Sequence, residues 1–84
     1  MNYPTEKRDE YIAKLTEELP VLRARLHSSQ GDLARDIGIS RQTYSWLETG
    51  KQKMTWITFM AMIAYFGSHA RTKKELVALG LLDD

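Results

Sequence analysis

The feature that most constrains this chain is a three-residue connection, Gly38-Ile39-Ser40, between two short segments of helical character. The whole stretch reads SQGDLARDIGISRQTYSWLETGK, from Ser29 to Lys51. Glycine is a natural left-handed end of a helix, and serine is a preferred N-cap of the next one. The stretch therefore predicts two helices, Gln30 to Ile37 and Arg41 to Thr49, held at a fixed angle by a tight turn.

The chain before this stretch is predicted to be helical as well. Apolar residues recur at helical spacing from Thr5 to Leu19, with charged residues between them. Pro20 disfavours α geometry at the preceding residue but suits the first turn of a new helix. We therefore expect a break or kink at Pro20, followed by a helix from Val21 to Leu26.

The chain after the stretch predicts two more helices and no strand. Thr55 is a candidate N-cap for a strongly apolar helix that Gly67 ends. The sequence Thr72-Lys-Lys-Glu75 has the form of a capping box, so a last helix is predicted to open there and to end near Gly80. The expected fold class is all-α, a bundle of five to six helices.

Composition limits what the chain can be. Its 84 residues are enough for one small domain and too few for two. The absence of cysteine excludes disulfides and thiolate metal sites and suits a reducing cytoplasm, where we expect the protein to lie. The longest apolar run, Trp56 to Phe66, is too short to span a bilayer, so no membrane is expected as a partner.

The second of the two short helices has two unlike faces at 100° per residue. Tyr44, Leu47 and Glu48 fall on the side that can close a small core. The outward arc consists of Arg41, Gln42, Ser45, Trp46 and Thr49. Arginine, glutamine and hydroxyl side chains are the types that bond base edges in a major groove. The arc is therefore a candidate base-reading surface, and the alternative is an exposed helix of a small bundle.

Charge is distributed unevenly, although the net charge of the chain is only +1. Residues 19–53 carry six basic and three acidic side chains, whereas residues 5–18 carry three basic and five acidic ones. Positive charge thus collects around the two short helices. That distribution favours a nucleic acid partner for this part of the chain.

The same stretch resembles the helix-turn-helix of the XRE family, which includes the lambda-type phage repressors and Cro. The matching positions are Gln30, Leu33-Ala34, Ile37-Gly38-Ile39-Ser40, Leu47-Glu48 and Gly50-Lys51. The resemblance implies a sequence-specific DNA-binding regulator of transcription, and a repressor is the expected type. It also implies three parts: an N-terminal helical extension (1–18), a helix-turn-helix core (19–67) and a C-terminal helix (68–84).

The resemblance assigns roles to individual side chains. Base reading falls to Arg41, Gln42, Ser45 and Trp46, on the helix that would enter the major groove. Contacts to DNA phosphates, which set affinity more than sequence preference, fall to Gln30, Thr43, Lys51 and Lys53. Arg23 and Glu48 align with a partly buried ion pair; the alternative is a surface arginine and a solvated carboxylate.

Three residues fit the family pattern loosely. Tyr44 stands where most members carry a β-branched aliphatic side chain, so the two helices are expected to lie slightly further apart. Gly31 either lets the backbone approach a DNA phosphate or is simply tolerated near the helix start. Trp46 is large for a base contact, and it either packs on a thymine methyl or a sugar or covers the neighbouring loop.

The apolar helix from Trp56 to Phe66 leaves the protein partners open. A helix that is apolar nearly all round must be buried on more than one side. Its cover is either the terminal helices or a second subunit, and DNA readers of this type are commonly twofold. We expect double-stranded DNA and a homodimer as partners. The alternative function is a protein-interaction module, such as an antitoxin-like subunit that binds a partner through these apolar helices.

No group of residues indicates catalysis. His27 and His69 lie apart, and neither has a second metal ligand at a suitable spacing. No serine has an evident base and orienting acid, and no glycine-rich phosphate loop is present. We therefore expect no enzymatic activity, no cofactor, no metal and no small-molecule substrate.

Overall fold

A short 3₁₀ turn, Thr5–Lys7, and five α-helices make up the computed structural model, which describes residues 1–84. The helices are α1 (Arg8–Arg25), α2 (Gln30–Ile37), α3 (Arg41–Thr49), α4 (Trp56–Gly67) and α5 (Ala70–Ala78). The all-α class predicted from the sequence is confirmed. None of the helices combines the length and the apolar character that crossing a membrane requires.

Side-chain caps set the starts of the three middle helices. The Ser29 hydroxyl accepts from the Asp32 N–H at 3.0 Å, and the Asp32 carboxylate accepts from the Ser29 N–H at 3.2 Å, which completes a capping box for α2. Ser40 and Thr55 cap α3 and α4 through their own hydroxyls. At the other end of α2, Gly38 has φ 93°, so the chain turns at once into α3. The predicted bounds of α2 and α3 are confirmed.

Helix α1 continues through Pro20, so the prediction of a separate helix from Val21 to Leu26 is wrong. Pro20 has no N–H to offer the carbonyl of Thr16, four residues earlier. Its ring is exposed, while Leu19 and Leu22 on its two sides are fully buried. Packing of both halves of α1 into one core therefore keeps the helix a single element.

Helix α5 begins at Ala70, two residues before the predicted capping box, and its N-terminus has no side-chain cap. The prediction that Thr72 caps this helix is wrong. Thr72 is fully buried, and its hydroxyl donates to the carbonyl of Phe66 in α4 at 2.6 Å. A tertiary hydrogen bond has taken the hydroxyl that the local pattern assigned to a cap. The helix ends at Ala78, close to Gly80 as predicted.

The hydrophobic core draws on every helix. Its largest fully buried apolar side chains are Leu15, Leu19, Leu22, Leu33, Tyr44, Phe59, Met62, Phe66, Leu76 and Leu81. The N-terminal segment joins this core through Tyr3, whose hydroxyl donates to the Leu81 carbonyl at 2.6 Å. The ring of Tyr3 also lies edge-on to Trp56 and Phe59. The N-terminal segment therefore packs over the start of α4 and is joined there to the C-terminal segment.

The cover of α4 is incomplete. Helices α1 and α5 pack on one side of it, as one of the two alternatives from the sequence expected. Ile57 is nevertheless 83% exposed, and Met60, Ala61 and Ala64 are exposed as well. Their spacing places them on one side of the helix. We call these four residues the α4 stripe.

Candidate nucleic-acid interface

Helix α3 is fixed by its inner face and open on its outer face. Tyr44 and Leu47 are buried against α1 and α2. Leu33 and Ala34 of α2 are buried in the same core. Ala34 is small at the place where the two short helices must approach one another. The outward arc therefore stands on a helix whose position is set by core packing.

The base-reading candidates are available to a partner. Arg41 and Gln42 are exposed, and Ser45 is half-buried. None of these three side chains takes part in a hydrogen bond or ion pair within the chain. Thr49, on the same arc, differs because its hydroxyl donates to the Ser45 carbonyl at 3.0 Å. Three unpaired polar side chains thus remain at the surface of α3.

Trp46 lies against the loop between α3 and α4. The Lys51 ammonium stands 5.3 Å from the centre of the indole ring, a cation–π distance. The backbone N–H of Gln52 also donates to the Trp46 carbonyl at 3.2 Å. In the free protein the ring is therefore used to cover the loop, which is one of the two uses that the sequence left open.

Arg23 and Glu48 meet beneath this surface. Arg23 Nε donates to Glu48 Oε2 at 3.1 Å, and Arg23 Nη2 donates to Glu48 Oε1 at 2.9 Å. Arg23 Nη1 also donates to the carbonyl of Ser28 at 3.2 Å. Only 8% of the Glu48 side chain is exposed. The two side chains form a bidentate, mostly buried pair rather than two separate solvated charges.

The surroundings of the pair shift its titration. Burial by itself raises the pKa of Glu48, but the hydrogen bonds from Arg23 and Gln30 and the positive charge of Arg23 outweigh it and hold the pKa below its ordinary value. Glu48 in turn raises the pKa of Arg23. Burial, and then the Glu48 charge, raise the pKa of Tyr44 far above the ordinary value. The Tyr44 hydroxyl itself is buried and has no hydrogen-bond partner.

Two of the phosphate-contacting candidates are held at helix starts. Gln30 opens α2, and its Nε2 donates to Glu48 Oε1 at 3.2 Å, which leaves its second N–H free. Thr43 lies in the first turn of α3, where its hydroxyl oxygen accepts from Ser40 at 2.8 Å. The hydroxyl hydrogen of Thr43 is not used by that bond. Both side chains keep a donor for a phosphate.

The other two candidates, Lys51 and Lys53, lie in the α3–α4 loop and are held differently. Lys51 rests on Trp46, as described above. Lys53 Nζ donates to Asp9 Oδ1, on the first turn of α1, at 2.6 Å. Sequence reasoning missed this partner, because no local pattern connects positions 44 residues apart.

Gly31 provides room beside the outward arc. A Cβ atom at this position would lie 3.7 Å from the Cδ of Arg41 and 3.8 Å from the hydroxyl of Ser29, which is ordinary contact. The stem of Arg41 therefore runs along the first turn of α2. No group of three or more His, Asp or Glu side chains is placed to hold a metal ion.

Comparison with known proteins bears on the same region. A family model described as a helix-turn-helix domain matches residues 14–76, which is well over half of the chain. The match begins inside α1 and ends inside α5, so it includes all of the base-reading and phosphate-contacting candidates. No curated protein and no solved structure matches the chain.

Proposed function

The chain belongs to the helix-turn-helix domain family, a DNA-binding family, and on that premise we propose that it is a sequence-specific regulator of transcription of the XRE type. Helix α3 enters the major groove of double-stranded DNA, and the protein acts in the cytoplasm as a repressor. Repression follows from occupying an operator. Control comes from protein level, from dimerisation or from a protein partner.

The observation that carries this proposal is the outward arc of α3. Arg41, Gln42 and Ser45 face outward without partners inside the chain, on a helix fixed by core packing. Arginine bonds guanine and glutamine bonds adenine through paired contacts in the major groove. A rigid helix that presents such groups loses little conformational entropy when they bind. We therefore assign base reading to these three residues and to the exposed edge of Trp46.

Phosphate contacts complete the proposed interface. Gln30 and Thr43 offer free donors at the starts of α2 and α3, and Lys51 and Lys53 offer charges from the following loop. Gln30 precedes the outward arc along the chain and the two lysines follow it, so these groups can hold α3 between two stretches of DNA backbone. Such contacts fix register and affinity, while α3 supplies sequence preference.

A homodimer is the proposed form on DNA. Helix α4 contains no charged residue, and the α4 stripe exposes Ile57 and Met60 beside two alanines. Two copies of an uncharged stripe do not repel each other, and the small alanines let helices approach closely. Dimers of helix-turn-helix proteins bind half-sites one turn of DNA apart.

The α4 stripe also supports a second candidate function. An antitoxin-like module would cover the same four residues with a different protein and would use DNA binding secondarily. Stable co-purification of a defined second protein that is lost in Ile57→Glu, with DNA binding unaffected, would favour this function over the homodimer.

The experiment that tests the proposal selects binding sites from a random DNA pool with the purified protein at moderate salt. Recovery of an inverted repeat, with half-sites about one helical turn apart, is the expected result. The double variant Arg41→Ala/Gln42→Ala is the control, because it keeps the core and should lose the enrichment. A folded wild-type protein that enriches no sequence would overturn the proposed function. Placing the recovered site over a reporter promoter then tests repression, since an activator would raise expression instead.

A further inference from the structure

Lys53, one of the proposed phosphate contacts, already pairs with a carboxylate of its own chain, that of Asp9. Lys53 Nζ lies 2.6 Å from Asp9 Oδ1, and the two side chains are 66% and 83% exposed. Ion pairs this exposed are held weakly, so a stronger partner can separate them. The pair joins the first turn of α1 to the loop that follows the proposed reading helix.

We infer that Asp9 competes with DNA phosphate for Lys53 and thereby lowers the affinity of this chain for DNA. The inference rests on the proposed function, in which Lys53 contacts a phosphate. A phosphate that approaches Lys53 must replace the carboxylate or share the ammonium with it. Two anions around one ammonium repel each other, so each outcome costs binding free energy.

The two lysines of the loop are unequal in this respect. Lys51 rests on the uncharged ring of Trp46 at 5.3 Å, so its full charge faces a partner. The charge of Lys53 is already matched by a carboxylate. The loop therefore presents less positive charge to DNA than two free lysines would. Removing Asp9 should make the full charge of Lys53 available to DNA.

Glu10 provides a matched control for Asp9. It is the next residue on α1, it is exposed, and it takes part in none of the ion pairs of the structure. Asp9→Asn and Glu10→Gln remove the same charge from the same turn of helix. Both lose the same favourable effect of an acidic group near a helix N-terminus. Only Asp9→Asn releases Lys53.

The test measures binding of the full chain to a fluorescently labelled duplex of arbitrary sequence by anisotropy, at fixed pH and salt. Non-specific binding suffices, because phosphate contacts do not depend on the base sequence. Asp9→Asn is expected to bind about two- to five-fold more tightly than Glu10→Gln, the range that corresponds to an exposed ion pair. The same comparison in a Lys53→Gln background is expected to show no difference.

Equal affinities of Asp9→Asn and Glu10→Gln would overturn the inference while leaving the proposed function intact. A gain that persists without Lys53 would also overturn it, because the effect would then come from long-range charge alone. A wild-type protein that binds no duplex would remove the proposed function and this inference together. Asp9→Ser serves as a second neutral variant, and circular dichroism melting shows which variants are folded.

Discussion

Arg23 of α1 and Gln30 of α2 donate to the same carboxylate, that of Glu48 in α3, at distances of 2.9 to 3.2 Å. One side chain thus connects three helices beneath the proposed DNA surface. Because the carboxylate is almost fully buried, its donors also determine whether it stays ionised. The orientation of α3 and the ionisation of Glu48 are therefore coupled.

Removing the arginine should destabilise the fold strongly. Arg23→Met leaves Glu48 buried without its main donor, and we expect the free energy of unfolding to fall by about 2–3 kcal/mol. Arg25→Met is the control, since it breaks the more exposed pair with Glu75 and should cost less than about 1 kcal/mol. Urea unfolding monitored by circular dichroism measures both. Equal losses in the two variants would contradict a special role for the buried pair.

Acid should remove part of this stability. The folded pKa of Glu48 lies below its ordinary value, so the ionised form favours the folded state. The stabilisation is fully present above the unfolded pKa of about 4.3 and is lost as the pH falls through the lower folded pKa. Glu48→Gln should therefore be less stable at pH 7 and lose less stability between pH 5 and pH 2.

Urea titrations across that pH range check this expectation. Asp32 is the control, because its pKa is also lowered, chiefly by the Ser29 N–H, while its carboxylate lies outside the Glu48 network. Asp32→Asn should retain the part of the acid response that Glu48→Gln loses. The same acid response in Glu48→Gln as in the wild type would show that Glu48 does not contribute.

Base reading and phosphate contact should respond differently to alanine. Gln42→Ala is expected to change the preference at one base pair by about 1–3 kcal/mol. Lys51→Ala should weaken binding to all sequences alike and reduce the slope of log affinity against log salt by about 1. Competition binding to single-base operator variants at several salt concentrations measures both. An unchanged preference in Gln42→Ala would remove that residue from the reading surface.

Alanine should change the stability of the fold in opposite directions at Gly31, within α2, and at Gly38, at its C-terminal end. Gly38 has φ 93° and no atom near its Cβ position, so Gly38→Ala should cost about 1–2 kcal/mol through backbone strain alone. Gly31 lies in a helix with ordinary contacts at its Cβ position, so Gly31→Ala should stabilise the fold by up to about 1 kcal/mol. Thermal melting shows whether each variant is less or more stable than the wild type. Weaker DNA binding by a stabilised Gly31→Ala would instead indicate that a phosphate approaches the backbone there.

A charge on the α4 stripe should interfere with pairing on DNA. Ile57→Glu is expected to leave binding to a single half-site intact and to remove cooperative binding to the two halves of an inverted repeat. Val21→Glu places the same charge at another exposed apolar residue, on α1, and should leave cooperativity unchanged. Gel-shift titrations with one and two half-sites distinguish these outcomes. Full cooperativity in Ile57→Glu would place the dimer contact elsewhere.

Where local chemistry decides the structure, the sequence was sufficient. The caps Ser29, Ser40 and Thr55 act within three residues, and Gly38 acts at its own φ angle, so the bounds of α2 and α3 could be predicted. Pro20 and Thr72 followed tertiary packing instead. Burial of the leucines on both sides of the proline, and a hydrogen bond from Thr72 to another helix, outweighed the local signal.

The same distinction holds for the candidate site. The inward and outward faces of α3 follow from helical periodicity, and the sequence pattern anticipated them. The partner of Lys53 did not follow, because Asp9 comes near only once α1 has packed beside the loop. The contact of Gln30 with Glu48 likewise depends on how three helices meet. Roles that depend on the angle between helices require the folded chain.

The two tryptophans lie in different parts of the molecule, so intrinsic fluorescence can be used to follow each part. Trp56 is stacked on Phe59 at 4.5 Å and has the guanidinium of Arg8 over its ring, in the region where both chain ends meet. Trp46 lies on α3, in the proposed DNA surface, with Lys51 over its ring. In Trp46→Phe the remaining tryptophan fluorescence should report unfolding, and in Trp56→Phe it should report binding at the proposed DNA surface. Emission from one unlabelled chain can thus follow the two processes separately.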